Sequence, residues 1–145
     1  MIKNRIYLDN CCFNRPFDDQ TNINIYLETE AKIFIQKEIL NKNIELAWSY
    51  IMDYEIYYNP FTDKKNQILK WKNIATIDTN ETTKIISMAN EIMKKNIKPK
   101  DALHLACAIE TKCSYFITTD KKILNKTIKN IIIINPINFI KILEI

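Results

Sequence analysis

The sequence predicts an α/β fold, a three-layer α/β/α sandwich around a central, mostly parallel sheet, and three observations carry that expectation. Short apolar runs of β character alternate with longer segments of helical period along the whole chain. Two of those runs, "YFITT" and "IIIIN", are apolar almost throughout, as strands buried on both faces are. The segments follow one another as βα units, the order that covers a parallel sheet with helices. With 145 residues, 47% of them hydrophobic, and no linker or repeat to divide it, the chain is expected to form one domain over residues 1–145.

"RIYLD" reads as the first strand and "TEAKIFIQKEILNKN" as a helix whose stripe is Ala31, Phe34, Ile35 and Ile39. "IELAWS" is the second strand, after which Ser49 is placed to N-cap the helix "YIMDYEIYY". Asn59 and Pro60 have the cap and first-turn proline that would open a helix through Trp71. "ATIDT" is a short strand, followed by a helix to about Asn96 whose start has Asp78 and Glu81 at capping spacing. Lys98 and Pro99 open "KDALHLACAIETK", and "YFITT" is the next strand. "DKKILNK" is a brief helix, "IIIIN" a strand, and Asn135 with Pro136 opens the last helix.

Composition excludes several classes of function. No glycine occurs, so neither a phosphate-cradling P-loop nor a dinucleotide-binding turn is on offer. Cys11, Cys12, Cys107 and Cys113 form no CxxC pair and no zinc spacing, which fits reduced thiols and a cytoplasmic location. The longest unbroken aliphatic stretch is Ile131 to Ile134, far short of the roughly 18 to 20 residues that span a bilayer. The net charge of +4 suits a polyanionic partner such as nucleic acid. An excess of Ile, Lys and Asn with no Val points to a bias across the coding sequence, so part of the lysine surplus carries no function.

Four acids stand where a site would form. In parallel sheets ligands bind beyond the carboxyl ends of the strands, and Asp9 and Asp120 follow two of them. Asp101 opens a helix that is apolar nearly all round, and Glu55 falls on a stripe with Ile51, Tyr54 and Tyr58. Asp53, two residues from Glu55, faces the other way, toward solvent. Three of the acids have a plain structural explanation: Asp120 makes a good N-cap, Asp101 favours a helix dipole, and Asp9 is a loop acid. Glu55, on a core-facing stripe, needs a partner. Together they need four coincidences. Clustered carboxylates cannot all stay ionised without a cation, and hard oxygen ligands select Mg2+ or Mn2+.

The order "IYLDN", then "SYIMDYEI", then "KPKDALHLACAIETKCSYFITTD" resembles the PIN-domain ribonucleases, the family that includes the toxins of VapC-type toxin-antitoxin pairs. The resemblance runs from about residue 5 to residue 135 and is most specific in its last block. It implies that Asp9, Glu55, Asp101 and Asp120 bind the metal and carry catalysis, with Mg2+ or Mn2+ as cofactor and RNA as substrate. An antitoxin protein and a homodimer are the implied partners. The chain departs from the commoner pattern at Asn10, where many relatives have Thr, at Thr119, where many have Arg, and in the longer loop "NRPFDD".

Arg15 in that loop is a candidate phosphate contact, or it locks the loop through an ion pair with Asp18 or Asp19. Lys98, Lys100 and Lys121 flank the acids and are the substrate-binding candidates. His104, the only histidine, lies three residues after Asp101 and is expected to be a hydrogen-bonded structural residue, with a ligand or base as the alternative. Exposed aromatics such as Tyr57, Tyr58 and Phe61 could meet a partner. Two rivals on the same architecture fit poorly. A receiver domain needs an Asp at the end of "IELAWS", and a haloacid-dehalogenase-type phosphatase needs one where Cys11 stands. The third is an inactive PIN-like module that docks RNA or a protein.

Overall fold

The computed structural model of the chain describes residues 4–143. Five parallel strands, β1 Arg5–Leu8, β2 Glu45–Ser49, β3 Ile77–Thr79, β4 Tyr115–Ile117 and β5 Ile132–Ile134, lie in the order β3-β2-β1-β4-β5. Eight helices connect and cover them among the described residues: α1 Asn10–Asn14, α2 Ile23–Leu40, α3 Tyr50–Tyr57, α4 Thr62–Ile74, α5 Thr83–Met93, α6 Pro99–Glu110, α7 Lys121–Leu124 and α8 Pro136–Leu143. α2 packs on α8 and α5 on α6, which gives the expected three layers. No helix among the described residues is long and apolar enough to cross a membrane.

β1 is the central strand, with Tyr7 beside Ala47 on one side and Phe116 on the other. Ile6, Tyr7, Leu8, Trp48, Phe116 and Ile117 are all buried, because helices cover both faces of the middle strands. "IIIIN" differs from its expectation: β5 is an edge strand, and Ile132 is 54% exposed. From β1 the chain winds outward through β2 and β3 in one direction, and through β4 and β5 in the other. The loops after β1 and β4 therefore diverge and leave a crevice between them, the usual place for a ligand in such sheets.

Local chemistry moved several boundaries. Residues 10–14, expected as loop, form α1 with Asp9 as its cap, a helix too short to show a period. α2 begins at Ile23 rather than Thr29 because Asn22 Oδ1 accepts from the Ile25 amide at 3.2 Å. α4 opens at Thr62, not Pro60, since Asn59 Oδ1 turns the chain by accepting from the Phe61 amide at 2.9 Å. The cap of α5 is Thr82, whose hydroxyl accepts from the Ile85 amide at 3.1 Å, and not the Asp78 and Glu81 pair.

Two expected faces also differ. On α3 the core side is Ile51, Met52 and Ile56, while Tyr54 and Tyr58 are exposed, so Glu55 lies at the boundary and not on a core stripe. Asp53 is partly exposed, as expected, but it is also bonded: it accepts from Trp48 Nε1 and from Lys72 Nζ, each at 3.0 Å. On α2, Phe34 is exposed, while Lys32 and Gln36 are buried beside Ala31, Ile35 and Ile39. With no glycine available, the left-handed backbone positions are held by Lys42, Asn96, Lys112 and Asn130, at φ from 62° to 75°. Three of them close the C-terminal ends of α2, α5 and α6.

Lys32 is 8% exposed, has no acidic partner among the described residues, and burial pulls its amine down from 10.5 to about 8. Below pH 8 both the folded and the unfolded chain carry the charge, and the folded state bears the cost of burying it. Between about 8 and 10.5 only the unfolded chain stays protonated, so the wild type gains stability over this window. Lys32→Met is thus expected to stabilise the protein at pH 7 by roughly 2 to 3 kcal/mol, with an advantage that fades toward pH 10.5. Denaturant melts of both proteins across that range check this; a gap that ignores pH would mean the amine is solvated.

Candidate functional site

Sheet pairing sets the position of Asp9, whose amide donates to Ile117 O at 2.9 Å and extends the β1-β4 ladder. Its side chain is buried. Oδ1 accepts from the Asn10 amide at 2.8 Å, and Oδ2 accepts from Thr118 Oγ1 at 2.8 Å and from Cys11 Sγ at 3.6 Å. Thr118 Oγ1 also accepts from the Asp120 amide at 3.1 Å, so one buried hydroxyl ties together the loops after β1 and β4. Asp120 caps α7, accepting from the Lys122 amide at 2.9 Å, as its spacing led one to expect.

Asp101 sits in the first turn of α6 and has no hydrogen-bond partner among the described residues. With Asp120, Lys98 and Lys122 it lines a cleft of about 560 Å³. Burial raises its pKa above the usual carboxylate value, the charges of Asp9, Asp120 and Glu55 raise it further, and His104 opposes them. A carboxyl raised by three others is the electrostatic signature of acids gathered in one place. The other three expected acids therefore act on Asp101 through their charge, each from a separate element of the fold, although only Asp120 lines the cleft with it.

Glu55 reaches the site from α3 and is held at both oxygens. Oε1 is hydrogen-bonded to His104 Nε2, and Oε2 accepts from Asn10 Nδ2 at 3.1 Å. Burial alone would raise its pKa, but the bond and charge of His104, with Asn10 and Lys100, outweigh it and hold the carboxyl below its ordinary value. His104 is 1% exposed, and its Nδ1 lies 2.5 Å from the Tyr7 hydroxyl, which lies 2.6 Å from Ser49 Oγ. The carboxylate needs a donor, so Nε2 carries a proton toward Glu55, while Nδ1 is hydrogen-bonded to the Tyr7 hydroxyl and that hydroxyl to Ser49 Oγ. Ser49 also accepts from the Met52 amide at 3.3 Å, capping α3. Both ring nitrogens are thus engaged, as expected of a structural histidine.

The oxygen-rich donor set suits a hard divalent cation. Asn10 Oδ1 adds an orphan to it, a buried oxygen with no hydrogen-bond partner beside Asp9 and Glu55. Among the described residues no three Asp, Glu, His or Cys side chains surround a common point, and Asp9, Glu55 and Asp120 are each hydrogen-bonded within the protein. Sequence reasoning placed Ser49 as the cap of α3, which it is, but did not assign supporting roles to Asn10, Thr118 and Tyr7; a polar residue inside or beside an apolar strand was the available signal.

The expected substrate contacts divide. Lys98 lines the acid cleft, and Lys100 lies near enough to lower the Glu55 pKa and sits 5.7 Å from the Tyr54 ring centre. Lys121 lines a neighbouring cleft together with Arg15. Arg15 is bound on two sides, Nε to Glu28 Oε1 at 2.9 Å and Nη1 to Asp18 Oδ2 at 2.8 Å, the loop lock that was one of its two expected roles. Asp19 instead caps its own turn through Thr21.

Two crystal structures share this fold. That of FitAcB from Neisseria gonorrhoeae is 15% identical, with a TM-score of 0.57 over 90% of this chain and 97% of that one. That of VapBC2 from Rickettsia felis, bound to a DNA fragment from their promoter, is 18% identical, with a TM-score of 0.55 over 90% of this chain and 98% of that one. No curated protein sequence matches the chain. The sequence matches the PIN domain over residues 6–129, and PIN domains are generally nucleases. On that match, and with the parallel five-stranded sheet beneath it, the chain belongs to the PIN domain family.

Proposed function

We propose that the protein is a metal-dependent endoribonuclease and the toxin of a toxin-antitoxin pair, with Asp9, Glu55, Asp101 and Asp120 holding Mg2+ or Mn2+. The main support is the charge of Asp9, Asp120 and Glu55 acting on Asp101, which is unbonded among the described residues and lines a cleft with Asp120. A bound divalent ion supplies Lewis acidity at a phosphodiester and a water of lowered pKa. Thr118 and the Asn10 amide fix the Asp9 carboxylate, and His104 with Asn10 Nδ2 fixes Glu55. Lys98 and Lys100 offset the repulsion between this acidic cleft and an incoming phosphate backbone. The product carries a 5′ phosphate.

The antitoxin reading draws on the FitAcB and VapBC2 likenesses and on a surface of this chain. Tyr54, Tyr57, Tyr58 and Phe61 are all more than half exposed, and Lys64 lies 4.3 Å from the Phe61 ring centre. Four exposed aromatic side chains within eight residues suit a protein partner, either an antitoxin or a second copy in a homodimer. Purified protein should cleave single-stranded RNA with Mg2+ or Mn2+ and stop in chelator. Expression without a partner should slow growth, and Asp9→Asn should relieve it. Cleavage that persists in chelator would rule out the metal mechanism, and equal growth arrest by both proteins would remove the toxin reading.

A further inference from the structure

The turn between β4 and α7 has two faces. Asp120 and Lys122 line the acid cleft, while Thr119 and Lys121 line a second cleft of about 550 Å³ on the other side. The N-terminal turns of α2 and α8 open onto this second cleft through Asn22, Asn24 and Asn135, and Arg15 lines it as well. Both clefts therefore share one wall, the turn that carries Thr119, Asp120, Lys121 and Lys122.

The second cleft has a different chemistry from the first. Thr119 is 6% exposed, yet its hydroxyl has no hydrogen-bond partner among the described residues. Asn22 and Asn135 use their Oδ1 atoms to cap the amides of Ile25 and Asn138, at 3.2 and 2.7 Å, which leaves both NH2 groups as donors. The Asn24 side chain has no bond among the described residues. Arg15 has its charge met by Glu28 and Asp18 and its guanidinium clamped at two nitrogens. The volume is within the range of small-ligand sites. Neutral donors and acceptors beside a held guanidinium plane are what proteins use to stack and read an unpaired base.

We propose that this cleft is a nucleobase subsite, which takes the base of the RNA nucleotide beside the scissile phosphate and sets the sequence preference of cleavage. Thr119 and the free amides read the edge of the base, and Lys121, without an acidic partner among the described residues, meets its phosphate. Arg15 becomes a stacking platform rather than a phosphate contact, because two carboxylates already neutralise it. The inference rests on the nuclease reading for which strand arrives, and on this cleft alone for how the base is held.

The test has two arms, each with wild type and the Thr119→Val, Asn24→Ala double variant. One titrates the four nucleoside 5′-monophosphates; the other sequences the cut ends of a randomised single-stranded RNA. Wild type should bind one base about tenfold more tightly than the least favoured, as expected of one or two bonds to a base edge. The same base should dominate one position next to the cut. Both preferences should flatten in the variant, while Thr119→Ser, which keeps the hydroxyl and guards against a folding artefact, should retain them. Four nucleotides bound alike by wild type, or a preference unchanged in the double variant, would overturn the subsite. Base-selective binding without any RNA cleavage would overturn the nuclease reading and leave the subsite standing. Cleavage with no base preference would do the reverse.

Discussion

Asp101→Asn should lower RNA cleavage by more than roughly a hundredfold, and at the same time raise the melting temperature of the metal-free protein. The activity loss follows from removing a ligand, since even changes to residues that only support a ligand lower metal affinity or activity 10- to 100-fold. The stability gain follows from the surroundings of Asp101. Its carboxylate has no hydrogen-bond donor among the described residues and feels Asp9, Asp120 and Glu55, so a neutral side chain of the same shape relieves repulsion and breaks no bond. Asp9→Asn should be equally inactive yet less stable, by about 1 kcal/mol, because Asp9 accepts from an amide and from Thr118.

Metal supplies the third arm of the comparison. Mn2+ at a hundred times its Kd should stabilise wild type by about 2.7 kcal/mol, and Asp101→Asn by less. Thermal melts of the three proteins with and without Mn2+, beside one cleavage assay, separate a shared acid site from four isolated caps. A metal-free Asp101→Asn that melts below wild type would remove the shared site.

His104→Ala should be the most damaging change for folding, at about 3 kcal/mol or roughly 10 °C in melting temperature. The ring is buried between the Tyr7 hydroxyl and Glu55, and its loss takes one hydrogen bond from each and leaves a hole beside the central strand. Tyr7→Phe should also destabilise, by breaking the same chain of bonds at the previous link. Because the two side chains act through one contact, the double variant should lose less than the sum of the singles. Additive losses in that cycle would show that Tyr7 and His104 do not act as a relay.

Three of the four candidate acids were easy to single out because each stands at a boundary that sequence marks well: Asp9 and Asp120 after an apolar strand, and Asp101 in the first turn of a helix. The environment of Glu55 was not legible. Tyr54 and Tyr58 count as apolar in a periodicity, yet both face outward, and the partner that holds Glu55 is 49 residues away on α6. Tyr7 and His104 are separated by 97 residues and meet only because β1 lies at the centre of the sheet, below α6. Thr119 and the "NRPFDD" loop were visible as departures from the family pattern. That Thr119 and Arg15 line one cleft depends on β4 pairing with β1, a matter of topology that no local window contains. α1 escaped notice because five residues are too few for a period.

The four left-handed turns have a consequence in the denatured ensemble. Lys42, Asn96, Lys112 and Asn130 hold a backbone region that disfavours side chains by about 1 to 2 kcal/mol, less so for asparagine. Glycine would release that strain, but it would also widen the range of conformations open to the unfolded chain, and the two effects oppose each other. A chain of 145 residues with no glycine is restricted in this way at every position before it folds. Part of what keeps these turns closed is therefore no contact in the native protein. It is the freedom that the unfolded chain never had.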